Sequence, residues 1–165
     1  MGLLDFFKSD PSSKWPEHRM IELVLNLKTR EMGGIKFGDS PELLSKFGKP
    51  DNKNPFKSKF FTYGAEGFIV GVEENVVNYF SFALVENPFD NLKPCQFQLV
   101  DKEGRHHNIN HTTTAIDIEK IIGPPKEKYE SNEGEDRMYI YNGYQIDIEY
   151  NTEGKIVCFD IVPSN

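Results

Sequence analysis

Three of the four histidines, His106, His107 and His111, fall within six residues of one another. In an extended segment His107 and His111 share a face two pleats apart, a spacing from which two imidazoles can approach a zinc or nickel ion. A working site needs a third ligand and groups that orient the imidazoles, and no acidic residue has a claim to that place. The histidine stretch reads instead as the second strand of a hairpin, and neither metal nor cofactor is expected. Cys95 and Cys158 are the only cysteines and do not form a C-x-x-C pair, so both read as small packing residues in a reducing compartment. G-x-S-x-G, P-loop, G-x-G-x-x-G and H-E-x-x-H patterns are all missing, and His18 has no identifiable nucleophile beside it. The expectation is a protein without catalytic activity; a metal-dependent enzyme using His106, His107 and His111 is the outlying alternative.

Charge points elsewhere. Residues 127–136 hold five acids, among them Glu130, Glu133, Glu135 and Asp136, and read as a loop after a helix. Such a run is usually a solvated loop, but it can also steer a basic partner, because complementary charge raises association rates. The corresponding stretch of residues 51–59 is basic. Over 165 residues, 19 Lys and Arg face 26 Asp and Glu, a net charge of −7. That balance argues against nucleic acid or an anionic membrane as partner, and no apolar run approaches the roughly 20 residues of a membrane helix. The first eight residues are apolar yet lack the basic and small-residue flanks of a secretory signal. They read as a short amphipathic helix, followed by a turn-rich linker, and the cytoplasm is the expected location.

These residues are positioned by a pattern that occurs twice. Gly48 and Gly123, Pro50 and Pro125, Leu43 and Ile118, and Phe47 and Ile122 are all separated by 75 residues. Leu43, Leu44 and Phe47, and likewise Ile118, Ile121 and Ile122, give the apolar stripe of a short helix. Asp39 with Glu42, and Thr114 with Asp117, suit a capping box at each start. Gly48 and Gly123 fit the left-handed position at each end, with proline soon after. Downstream, 60–63 and 137–141 read as first strands, 67–72 matches 143–148 as second strands, and Val76 onward matches Ile156 onward as third strands. Upstream, 21–27 and 95–100 read as opening strands, followed by turns at 30–34 and 101–104. The reading is α+β: two tandem β-β-α-β-β-β repeats, each a short helix packed on an antiparallel sheet. Residues 1–17 form an N-terminal segment and linker, 18–90 the first repeat and 91–165 the second. Neither repeat alone has a comfortable core, so the two are expected to pack together as one unit.

A short helix, then Gly-x-Pro or Gly-Pro-Pro, then an aromatic-rich meander, twice over, resembles the beta-lactamase-inhibitor-protein-like superfamily. That group includes the small outer-membrane-assembly lipoprotein domain. Residues 40–50 with Tyr63, and 114–125 with Tyr141, carry the likeness. The resemblance implies a protein that binds other proteins, often through an aromatic-rich sheet face. This chain lacks a disulfide pair within each repeat and a lipobox cysteine near its start, so a cytoplasmic inhibitor or immunity-type role fits better than an extracellular one.

Differences between the repeats narrow the site. Gln145, Asp147, Glu149 and Asp160 make one face of the second sheet polar; the matching positions of the first are Ile69, Gly71, Glu73 and Phe80, with Phe82 one pleat on. An apolar face of this kind must be covered, by the N-terminal helix, by the other repeat or by a partner. Ile69, Phe80 and Phe82, together with Glu130, Glu133, Glu135 and Asp136, are therefore the candidate partner-binding residues. The expected function is non-catalytic protein binding through a sheet face or the acidic stretch, with a self-associating homodimer as the alternative.

Overall fold

The computed structural model describes residues 10–17, 22–87 and 91–164. The amphipathic segment expected over the first eight residues and His18 lie outside that range. The fold is mixed α and β, dominated by strands. The first half supplies β1 (Val24–Asn26), β2 (Glu31–Met32), β3 (Ile35–Lys36), a 3₁₀ helix (Pro41–Lys46), α1 (Pro55–Ser58), β4 (Phe60–Tyr63), β5 (Phe68–Glu73) and β6 (Val76–Ala83). The second half supplies β7 (Phe97–Val100), β8 (His106–Ile109), α2 (Ala115–Ile122), β9 (Glu127–Glu130), β10 (Gly134–Tyr141), β11 (Tyr144–Asn151) and β12 (Ile156–Pro163).

Both sheets draw on both halves. A five-stranded sheet runs β3-β2-β1-β7-β8, and a seven-stranded sheet runs β4-β5-β6-β12-β11-β10-β9. The seam of the larger sheet is antiparallel, with Phe159 opposite Phe82 and Ile161 opposite Phe80. The seam of the smaller sheet is parallel, with Leu25 opposite Leu99. A parallel pair needs a long crossover, here the entire first meander between β1 and β7. Two-residue turns close three of the hairpins: Gly33-Gly34, Glu74-Asn75 and Asn142-Gly143 all have positive φ at both positions, the geometry that matches strand twist.

One core fills the space between the sheets. Phe82 stacks on Phe97 of β7 at 4.3 Å, and Phe159 meets both rings edge-on, joining the two sheets through one aromatic triad. Phe47 at the end of the 3₁₀ helix packs edge-on against Tyr63 and Phe68. Arg137 clamps α2 to β10: its Nη1 donates to Glu119 at 2.5 Å, its other nitrogens donate to Glu135, and its plane lies 5.2 Å over the Tyr150 ring. With only 14% of that side chain exposed, Arg137→Met is expected to cost about 1 kcal/mol in urea denaturation, more than a surface ion pair.

Tyr144, 1% exposed, buries a hydroxyl that has no hydrogen-bond partner among the described residues, and burial pushes its pKa up to about 12. An unpaired buried hydroxyl is unfavourable. Tyr144→Phe is therefore expected to raise stability by about 1 kcal/mol, read as an upward shift in Tm.

Several local expectations change. Thr114 and Asp117 form the capping box at α2, but Asp39 and Glu42 do not form one. Backbone bonds of Gly38 and Asp39 to Val77, each 2.8 Å, tie that stretch to β6, and Asp39 Oδ2 accepts instead from the Lys36 N–H. Ser40 becomes the N-cap of a 3₁₀ rather than an α helix. The turn expected at 30–34 is instead strand β2 and the Gly33-Gly34 turn that leads into β3. The expected linker is structured: Pro11–Lys14 is a 3₁₀ turn capped by Asp10. Trp15 then stacks 5.7 Å from Phe61, anchoring that turn to the core. The acidic stretch of 127–136 is β9 and the start of β10 rather than a loop.

Candidate functional site

Alternation along the strands sends Phe61, Val70, Phe80, Ile161, Ile148 and Tyr139 into the core and leaves the other parity on the outer face of the seven-stranded sheet. Cross-strand pairing lines up the outer residues in rows. One row runs Met138, Asp147, Asp160, Ser81, Ile69 and Thr62; the next begins Asp136, Glu149, Cys158 and Ala83. Asp147 therefore lies directly opposite Asp160, and Asp136 directly opposite Glu149. Like charges so placed repel. Among the described residues, no basic nitrogen comes within 4.0 Å of any of the four carboxylates.

What these carboxylates do bind is neutral. Gln145 Nε2 donates to Asp147 at 2.8 Å, and Cys158 Sγ donates to Asp160 at 3.3 Å. Burial, followed by the charge of Asp160, raises the Tyr79 pKa. Burial, followed by the charges of Asp136, Asp160 and Glu133, raises the Glu149 pKa. The four acids line a groove of about 410 Å³ with Tyr129 and Met138. Beside it, a second depression of about 500 Å³ is lined by Phe60, Gly71, Val72, Tyr79 and Val162, together with the charged Lys59 and Glu73. Phe60 is 50% exposed there. One continuous face thus has an acidic half and an apolar half, meeting at Tyr79 and Asp160.

Ile69 lies on this face, half-buried in the row with Ser81. Phe80 and Phe82 do not: both are 0% exposed and belong to the core. Pairing puts Ser81, not Phe80, opposite Asp160. The cause is a register shift in each hairpin, between Gly71 and Val72 in the first and between Glu149 and Tyr150 in the second. A slip of one residue exchanges every side chain between faces. Glu130 and Glu133 are exposed on the β9–β10 hairpin, Asp136 belongs to the groove, and Glu135 turns toward Arg137.

The histidines do not converge. His107 Nε2 lies 3.0 Å from Asp101 Oδ2, His106 Nδ1 lies 2.9 Å from Gln98 Oε1, and His111 is exposed in the turn before α2. Among the described residues, no group of three His, Cys, Asp or Glu side chains is arranged to hold a metal. Both cysteines are free thiols, and burial pushes each pKa up to about 12. At neutral pH they are protonated and poor nucleophiles.

Asp101 was not evident from the sequence as more than a turn residue, yet its side chain is completely enclosed. It accepts from the N–H groups of Glu103 and Arg105, and from Arg105 Nε at 2.7 Å. Burial alone pushes its pKa up; the bonds from His107 and Arg105 outweigh that and hold the carboxyl well below its usual range. The only signal in the sequence was an Asp opening a tight turn, D-K-E-G-R, where a carboxylate can bond backbone groups two and four residues on.

No family model matches the sequence, and no curated protein matches it either. Among solved structures, the chain is similar to that of a DUF4309 family protein, YjgB, from Bacillus subtilis subsp. subtilis str. 168. The TM-score is 0.55 at 13% identity, covering 84% of this chain and 90% of that one. At that identity, the likeness extends to the fold and no further.

Proposed function

We propose that this chain is a non-catalytic protein-binding module, built as two tandem units and acting through the outer face of its seven-stranded sheet. The observation that carries this reading is the face itself: seven strands wide, open over both depressions, and presenting unpaired carboxylates beside exposed aromatic and aliphatic groups. Interfaces favour such aromatic groups at their centres. Among the described residues, Asp101 is satisfied locally, and the thiols of Cys95 and of Cys158, the latter in the groove itself, are held protonated. The two free thiols suit a reducing compartment, and an inhibitory or immunity-type role follows the resemblance of the two repeats to the beta-lactamase-inhibitor-protein-like superfamily.

The test is site-specific crosslinking. A photoactivatable phenylalanine at Met138, on the open face, is expected to trap a protein from the native host, whereas one at Lys46, on the 3₁₀ helix, is expected not to. Light scattering of the purified chain distinguishes the self-associating alternative: a stable dimer crosslinked to itself through Met138 would replace the external partner by a second copy.

A further inference from the structure

Resting on the protein-binding reading, we propose that the partner docks a basic, part-apolar segment across the seven-stranded sheet, its cations over Asp147, Asp160, Asp136 and Glu149 and an apolar side chain in the depression beside Phe60 and Tyr79.

Three features favour that occupant over an acidic or purely apolar one. The two cross-strand pairs, Asp136 with Glu149 and Asp147 with Asp160, set like charges directly opposite each other, an arrangement that opposes sheet formation. Among the described residues, the cations beside the acidic groove are already engaged, Arg137 with Glu119 and Glu135 and Lys128 with Glu119, and Lys59 stands at the other depression. The acidic half therefore lacks an ion-paired partner and is complemented by charge brought from outside. The apolar half comes mostly from the other meander, where Phe60 lies opposite Gly71, and Gly71 opposite Tyr79, with Val162 of β12 completing it. A Cβ at Gly71 would meet the Tyr79 Cβ at 2.8 Å, so glycine there lets Tyr79 lie close along the sheet, leaving a shallow floor walled by Phe60. From β10 to β4 there are five strand spacings, about 24 Å, the length of about seven extended residues.

A titration of the full chain, followed by amide NMR shifts and by fluorescence, tests this with three synthetic peptides of about seven residues, glycine at every second position so that the other side chains share one face: two lysines then two leucines, two glutamates then two leucines, and two lysines then two serines. The lysine–leucine peptide is expected to bind saturably, with shifts at Asp147, Asp160, Tyr79 and Val162 and weaker affinity in higher salt. The glutamate–leucine peptide is expected not to bind, and the lysine–serine peptide to bind at least about tenfold more weakly. Asp147→Asn with Asp160→Asn is expected to weaken the lysine–leucine peptide at least about tenfold. Because that double variant removes a repulsive pair, it is expected to fold with equal or higher Tm, which separates lost binding from lost structure. Phe60→Ser should weaken the lysine–leucine peptide and leave the lysine–serine peptide unaffected. Equal binding of all three peptides, unchanged affinity in the Asn variant, shifts centred elsewhere, or no saturable binding overturns the inference. Failure here differs from failure of the wider reading: a host protein crosslinked at Met138 through an acidic or neutral segment overturns the basic-partner inference alone.

Discussion

Phe82→Ser is expected to cost about 4 kcal/mol, the cost of truncating a large buried ring, increased by a hydroxyl left in its place. The reason is position. Phe82 is fully enclosed, stacks on Phe97 across the sheets and lies opposite both Phe68 and Phe159 in the larger sheet. A domain of this size has a total stability of about 5–15 kcal/mol, so a single variant should shift the urea midpoint strongly. Adding Phe80→Ser should abolish the cooperative transition. Far-ultraviolet circular dichroism with urea titration measures this directly. Unchanged stability in Phe82→Ser would put the ring outside the core and return it to the candidate binding residues. Phe60→Ser, on the open face, provides the contrast, with an expected change below about 0.5 kcal/mol.

Asp101→Asn is expected to cost about 2 kcal/mol at neutral pH and to remove a pH dependence that the natural chain has. One enclosed carboxylate organises the β7–β8 turn through two backbone N–H groups and the Arg105 side chain, with His107 beside it. Hydrogen bonds to a charged group in such a setting are worth more than neutral ones. Its pKa in the folded chain is depressed. The stability it contributes is therefore complete above the unfolded value, about 3.9, and is lost as pH falls through that value toward the folded one. The natural chain and Asp101→Asn should differ most near neutrality and converge under strong acid. Urea midpoints for both proteins across the acid range provide the measurement. A constant difference at every pH would mean that the carboxylate charge contributes nothing beyond the shape of the turn. Because the effect is confined to one hairpin away from the open face, the lysine–leucine peptide should bind the folded variant normally.

The placement of Phe82 shows where reading the sequence stops. Alternation identified a two-faced sheet, and the polar run Gln145, Asp147, Glu149 and Asp160 was assigned to the open side correctly. Extending that assignment to the first meander required counting across two hairpins. Each contains a register shift that no composition or period reveals, because a bulge is a local choice of backbone pairing. The extra residue of the first hairpin puts Phe80 and Phe82 in the core and Tyr79 and Ser81 on the open side, where strict alternation predicts the reverse. The capping contrast has a different origin. Both starts are tied by backbone, Thr114 to Lys155 and Asp39 to Val77; what differs is the side chain, since Thr114 Oγ1 accepts from the Asp117 N–H whereas Asp39 Oδ2 accepts from the Lys36 N–H.

The amino-acid order by itself determined some local parts: where α2 begins and ends, and the alternation along β11. These follow from φ preferences, capping chemistry and a period of two, all set by residues within a few positions of each other. Only the tertiary structure decided how the parts join. The seam between β6 and β12, the parallel contact of β1 with β7, and the facing of Asp147 to Asp160 depend on residues up to about eighty positions apart. Long-range pairing is selected by burying the aromatic core as a whole. The open acidic and apolar face is what remains on the sheet once that core is satisfied.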